Sequence, residues 1–382
     1  MGREPTRRSG LEKLWQRDTS AIGALALLPL SVAGGIFRGA VATRNVWWRR
    51  MAQRAHLPVI SVGNLTVGGN GKTPFALFLA LRLRERGYKV AIISRGYSGA
   101  KSQARAALVA DHGELKIPPE ESGDEPAMMS RRFSGPIVVA RRRMDGVELA
   151  RNLGALDAVI LDDGFQHTRL RRDLDFVLVS EERGFGNGHM LPAGPMREPL
   201  SAVGRADAIV IMSAGIGRPS AIRTSQLKKL SRLPVFHARV RPHGLVQVER
   251  GEWRETAPAL GGRRVLAVSG LADPSAFHAM VREIDADLVA VLEYPDHHRY
   301  TSADWQAIAA AARDVDAIVT TEKDLIKLER FPFPRDSLYA LRLEVSIADD
   351  ETRALDELIF SRLQALSGTL SAAAQEVPRD AS

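Results

Sequence analysis

Residues 58–74 read Pro-Val-Ile-Ser-Val-Gly-Asn-Leu-Thr-Val-Gly-Gly-Asn-Gly-Lys-Thr-Pro, and no other stretch limits the fold so tightly. A short apolar run enters a glycine-rich turn, which opens on a second apolar stretch from Phe75 to Leu83. Strand, loop and helix in that order are the layout of a phosphate-binding loop. Gly68, Gly69 and Gly71 permit the tight bend that aims successive backbone N–H groups at a polyphosphate, and the helix N-terminus adds partial positive charge. Lys72 would reach the β- and γ-phosphates, and Thr73 would offer its hydroxyl to Mg²⁺. Thr66 stands where the general pattern G-x-x-x-x-G-K-[ST] has its first glycine.

Further buried strands are expected at 89–94, 106–110, 136–140, 157–162, 175–180 and 207–212, separated by helical or loop stretches. Such alternation predicts an α/β fold, an open and mostly parallel sheet with helices on both faces and a ligand beyond the strand C-termini. Residues 234–248 and 338–346 alternate apolar and polar like the two strands of a connecting ribbon. A second α/β unit lies between them, with strands at 264–269, 287–293 and 316–320. A chain of 382 residues is long enough for two cores. The resulting division is 1–50, an N-terminal basic segment and helix; 51–233, the loop-bearing core; 234–262, a linker ribbon; 263–346, a C-terminal α/β unit with the return strand; and 347–382, a helix and a tail expected to be disordered from Ser367.

Thr19 to Phe37 contain no charged residue, and a helix of that length would span about 28 Å. Pro29 and several glycines weaken a bilayer crossing, and basic residues on both sides give it no orientation. Trp47 and Trp48 among Arg38, Arg44, Arg49 and Arg50 suit a headgroup interface, so a helix embedded in or lying on a membrane is expected. The net charge of +8, from 53 basic and 45 acidic residues, favours an anionic partner. Anionic lipid is one; nucleic acid is not indicated, since no helix-turn-helix, zinc finger or aromatic RNA-binding signature is present. With no cysteine, disulfides and thiolate metal sites are excluded.

The apolar strand ending at Leu161 closes on Asp162-Asp163-Gly164-Phe165-Gln166-His167, which is how a phosphate-loop enzyme brings a carboxylate to Mg²⁺. Either aspartate could be the one that faces the metal. Gly123-Asp124-Glu125-Pro126 precedes a short helix, where Asp124 could equally be an N-cap. Asp296-His297-His298 is a weak metal pattern, and Thr321-Glu322-Lys323-Asp324 does not match the Asn-Lys-x-Asp of guanine recognition, which argues against a GTPase switch.

Together with Ser94-Arg95-Gly96-Tyr97, these pieces occur in the order found in the tetraacyldisaccharide 4'-kinases of Gram-negative bacteria, and over about residues 15–345 the chain resembles that family. Thr66 is what the family shows at its position. The resemblance implies an ATP- and Mg²⁺-dependent kinase on the cytoplasmic face of the inner membrane, with a phosphate-loop core joined by a two-stranded ribbon to a smaller C-terminal α/β domain. It implies transfer of the γ-phosphate to the 4'-hydroxyl of an acylated glucosamine disaccharide 1-phosphate at the lipid surface, with no obligate protein partner. By resemblance, Thr66, Val67, Gly68, Gly69, Asn70, Gly71, Lys72 and Thr73 hold the nucleotide; Thr73 with Asp162 or Asp163 positions Mg²⁺. Asp124 is the general base, paired with His297, and Lys72 completes the catalytic set. Asn64, Arg95, Arg143, Gln166, His167, Arg197 and Glu198 are expected around the substrate.

Overall fold

A computed structural model describes Trp15 and residues 28–375, apart from 97, 98, 100–104, 216, 218, 219, 223–225, 227–231, 250 and 257–259. Its strands are β1 Val59–Asn64, β2 Val90–Ser94, β3 Ala107–Asp111, β4 Glu114–Leu115, β5 Ile137–Val139, β6 Ala158–Asp162, β7 Leu174–Ser180, β8 Ala208–Ser213, β9 Val235–Glu249, β10 Glu252–Thr256, β11 Arg264–Gly270, β12 Asp287–Tyr294, β13 Ala317–Thr321 and β14 Leu338–Ile347. They form one mixed sheet in the order β12-β11-β13-β14-β9-β8-β7-β1-β6-β2-β5-β3-β4, with β10 added on β9.

The phosphate-loop strand β1 lies between β6 and β7, parallel to both. All its residues are buried, as are those of β2, β6 and β7, which is why these strands read as mostly apolar runs. Phe75, Leu79 and Leu83 of the helix Lys72–Glu85 cover one sheet face with Phe176 and Met129. On the other, Val147 and Ala150 of the helix Arg143–Asn152 meet Ala91, Ile93 and Leu161. Gly63 in β1 admits nothing larger, since a Cβ there would lie 2.5 Å from the Cβ of Phe165.

Strand β9 joins the two halves. It runs parallel to β8 over Val235–Arg239 and antiparallel to β14 over Ala238–Val246. The two strands expected as a connecting ribbon pair with each other, and through β8 and β13 they make both α/β units one sheet. Beyond it β14, β13, β11 and β12 run mutually parallel. A second seam is made by the helices Asp124–Ser130 and Glu322–Leu328: Arg131 pairs with Glu329 at 3.0 Å and Arg132 with Glu322 at 3.6 Å.

Two terminal expectations change. The N-terminal helix runs Leu28–Arg50, through the basic segment expected to follow it; residues 19–27 lie outside the described residues. Asn45 explains the continuation, donating to the buried carboxylate of Glu198 at 2.7 Å, as does Trp48, covered by the guanidinium of Arg169. No helix among the described residues is long and apolar enough to cross a membrane. At the other end the helix Asp349–Gln375 continues past Ser367, where an alanine run propagates turns already fixed by packing of Leu355, Ile359 and Leu363.

Candidate active site

The loop after β1 is fixed from within and from the side. Asn70 donates to the Thr66 hydroxyl at 2.8 Å, giving Thr66 the work of a missing glycine: it ties the turn closed by a side chain. The Val67 N–H bonds to the carbonyl of Pro195 at 2.8 Å. Gly68 and Gly71 take φ of 100° and 73°, which L side chains rarely adopt, and Gly71 immediately precedes the helix that carries Lys72 and Thr73.

The acid pair that the sequence leaves open is divided by the structure. The Thr73 hydroxyl lies 3.2 Å from Asp162 Oδ2, and Ser94 Oγ donates to the same oxygen at 3.2 Å. Asp163, whose φ is 53°, turns the other way, its carboxylate 3.6 Å from Lys72 Nζ and 3.1 Å from Arg197. Burial pushes the Asp162 carboxyl up to about 7, helped by Glu125 and Asp163 and opposed by Lys72 and Arg143. Burial acts the same way on Asp163, but Lys72 and Arg197 overcome it and hold that carboxyl well below the usual range. Asp162 is thus a buried acid short of positive charge beside a hydroxyl, while Asp163 already has its cations.

Arg143 and Glu198, expected at the substrate, are instead turned inward. Arg143, 2% exposed, donates to the backbone carbonyls of Ala140 and Asp162, and burial lowers its guanidinium to about 10. It braces the end of β6. Glu198 is fully buried, held by Arg205 at 2.8 Å and by Asn45. Asn64 is also buried, its side-chain oxygen accepting from Lys72 at 3.4 Å and from Arg197. Gln166 donates to the Asn64 carbonyl at 2.6 Å, and His167 is held neutral, down to about 3, by burial and by Arg143, Arg172, Arg169 and Arg95. Arg95 is exposed at the end of β2.

Asp124 opens its helix at the seam. His297 Nδ1 lies 3.4 Å from Asp124 Oδ2, although 173 residues separate them, and His297 has φ 58°, a left-handed conformation that a chain adopts only when its surroundings enforce it. Burial raises the Asp124 carboxyl, but the His297 hydrogen bond, Lys327 and Lys323 outweigh it and hold it below the usual range. His298 points elsewhere, to Asp304 at 3.1 Å and against Tyr294, in the cap of the next helix. The charges of both Lys72 and Glu125, the neighbour of Asp124, act on Asp162. Among the described residues no cluster of three histidine or acidic side chains could hold a metal ion by itself. Sequence reasoning gave no role to Ser94, Glu125 or Lys327, although Ser94 and Glu125 stand inside the motifs Ser94-Arg95-Gly96-Tyr97 and Gly123-Asp124-Glu125-Pro126.

The model of the family described as tetraacyldisaccharide-1-P 4'-kinase matches residues 24–364. A tetraacyldisaccharide 4'-kinase from Anaeromyxobacter sp. (strain K) is 44% identical over 337 residues, covering 84% of this chain and 86% of that one. The enzyme of the same description from Syntrophus aciditrophicus is 35% identical over 378 residues, covering 94% and 99%. A crystal structure of LpxK from Aquifex aeolicus in complex with ATP superposes with a TM-score of 0.70 at 30% identity, covering 89% of this chain and 99% of that one. With a family model matching most of its length and relatives this similar over nearly all of theirs, the chain belongs to the tetraacyldisaccharide 4'-kinase family.

Proposed function

We propose that the chain transfers the γ-phosphate of ATP to the 4'-hydroxyl of an acylated glucosamine disaccharide 1-phosphate, a step of lipid A biosynthesis. The hydroxyl oxygen bonds to the γ-phosphorus, the bond from that phosphorus to the β–γ bridging oxygen breaks, ADP leaves, and the hydroxyl proton passes to Asp124. What supports this reading is a complete phosphate loop beside Asp162, on which the charge of Glu125 acts, together with its neighbour Asp124, whose carboxylate lies 3.4 Å from His297 Nδ1. A hydroxyl is a weak nucleophile, and a carboxylate kept ionised by neighbouring cations can take its proton as attack proceeds. Lys72 and the amides of residues 68–73 grip the phosphates, and Arg95, Gln166, His167 and Arg197 face the sugar.

The donor set fits Mg²⁺, which takes hard oxygen ligands and keeps only one or two from protein. Thr73 and Asp162 supply them, and a cation there would relieve the deficit of positive charge that raises Asp162 to about 7. Bound there, Mg²⁺ supplies charge neutralisation at the β- and γ-phosphates. Asp163 orients Lys72 and Arg197. Purified protein with γ-labelled ATP, Mg²⁺ and the acylated disaccharide 1-phosphate is expected to give a labelled bis-phosphorylated lipid. Label released only as inorganic phosphate overturns the proposal.

The division into 51–233, 234–262 and 263–346 is part of the same reading, with Asp124 and His297 in different units. So is a place on the cytoplasmic lipid surface, where ATP is available. Val32, Ile36 and Trp47 recur along one side of the helix Leu28–Arg50 and, with Met51 just past its end, are 60–71% exposed, whereas Val41 and Asn45 on the opposite side are buried. An apolar stripe on a helix that also exposes Arg38, Arg49 and Arg50 suits one lying in a headgroup layer. Ile36→Asp combined with Trp47→Asp is expected to lower co-sedimentation with anionic vesicles about tenfold or more without changing the folded protein's circular dichroism. Unchanged partitioning would remove the helix from the interface.

A further inference from the structure

We propose that Lys327 is a positioning residue for this reaction, its ammonium holding Asp124 as an oriented carboxylate while remaining anchored in the C-terminal unit. Lys327 Nζ lies 3.2 Å from Asp124 Oδ2, the oxygen that His297 also approaches, and 3.1 Å from Asp324 Oδ1. Asp324 is fully buried and immobilised, its other oxygen accepting from the Gly270 N–H at 2.9 Å and the Thr321 hydroxyl at 2.8 Å. The buried ring of Tyr300 lies 5.4 Å beneath the ammonium, within cation–π range. With its side chain 10% exposed and its charge shared by two carboxylates, Lys327 has one arrangement available rather than the many of a surface lysine.

The other groups facing Asp124 do not duplicate this. Lys323, one turn earlier, is committed to Asp296 at 2.7 Å and acts on Asp124 only through its charge. Glu125, next in the chain, is negative. Imidazoles as a class change charge between pH 5 and 8, whereas alkylammonium groups do not. A carboxylate that must stay ionised at neutral pH therefore gains a pH-independent partner from lysine. His297 and Lys327 both approach Oδ2, and Oδ1 receives no hydrogen bond among the described residues, which leaves Oδ1 for the substrate hydroxyl. Because the ammonium arrives from the other side of the seam, base orientation depends on the two units being joined.

This rests on the proposed kinase reaction, and the two are separable by the wild-type arm of one experiment. Turnover of ATP and disaccharide 1-phosphate is measured from pH 5 to 9 for wild type, Lys327→Met, Lys327→Gln, Lys327→Arg and, as a seam control, Arg131→Met, with thermal melts alongside. Lys327→Met is expected to lower kcat about ten- to a hundredfold, to move its acid limb to higher pH, and to leave the KM for ATP within about twofold. Removing the ammonium lets Asp124 protonate at higher pH, hence the direction. Lys327→Arg restores most of kcat, and Arg131→Met keeps the wild-type limb. Lys327→Gln keeps the stem without the charge and gives the same result if the methionine variant does not fold. An acid limb unmoved in the folded uncharged variants, or moved equally in Arg131→Met, overturns the inference while leaving the kinase reading intact. Absence of transfer by wild type overturns the kinase reading, and the inference with it.

Discussion

Lys72→Met is expected to lower kcat/KM for ATP by about 10³-fold or more, through both kcat and KM. Phosphoryl transfer spreads charge over the γ-phosphate oxygens and asks little covalent chemistry of the protein, so positioned cations carry most of the acceleration. Lys72 is prepared for that work. Its Nζ sits 3.6 Å from Asp163 and 3.4 Å from the Asn64 oxygen, 16% exposed, at the start of the loop helix. Asp163 keeps Arg197 as a second cation, so the substitution does not strand an unpaired carboxylate and the loop is expected to fold.

The same substitution acts on Asp162. Lys72 is one of the charges lowering that carboxyl against burial, so its removal raises the Asp162 titration further and favours its protonated form. Protonated carboxyl is a poor ligand for a hard cation, and the Mg²⁺ concentration needed for half-maximal rate should rise. Lys72→Arg is not expected to rescue, because a planar guanidinium is a different shape in a loop closed around Thr66 and Asn70. Steady-state kinetics with ATP and Mg²⁺ varied independently check both parts. A kcat/KM within tenfold of wild type would show that the loop amides hold the phosphates alone.

Strands buried on both faces were legible because they are mostly apolar, with polar residues chiefly at their C-terminal ends: Val59–Asn64 and Ala158–Asp162 read as what they are. Two strands were not. Glu114–Leu115 is too short for any period, and Glu252–Thr256 is a mostly exposed edge whose residues, Glu-Trp-Arg-Glu-Thr, resemble a loop. Fusion of the two units into one sheet depends on β9 pairing at both its edges, which no local pattern encodes. Within the site, motif residues could be found but not their orientation. Arg143 and Glu198 are charged residues beside motifs, yet they face inward, because backbone carbonyls and Arg205 receive them there. Lys327 was invisible since the group it serves is 203 residues away.

Asp124→Asn is expected to lower kcat about 10²- to 10⁴-fold while the KM for ATP stays within a few-fold, since Asp124 belongs to the seam and not to the loop. The amide keeps the shape of the carboxylate and can still accept from His297 and Lys327, and Lys327 retains Asp324, so the seam should survive. What the amide cannot do is take a proton. Its loss should also erase the acid limb of the kcat profile. In wild type that limb lies at low pH, because His297, Lys327 and Lys323 hold the carboxyl below its usual range, and activity falls as pH drops through that depressed value. The expected loss is smaller than for Lys72 on a physical ground: in a loose transition state the hydroxyl has barely bonded to phosphorus and remains weakly acidic, so a base helps late, whereas phosphate charge must be held throughout. If Asp124→Asn keeps more than about a tenth of wild-type turnover, proton removal is left to solvent, and the pairing with His297 serves to fasten the seam rather than to activate the sugar.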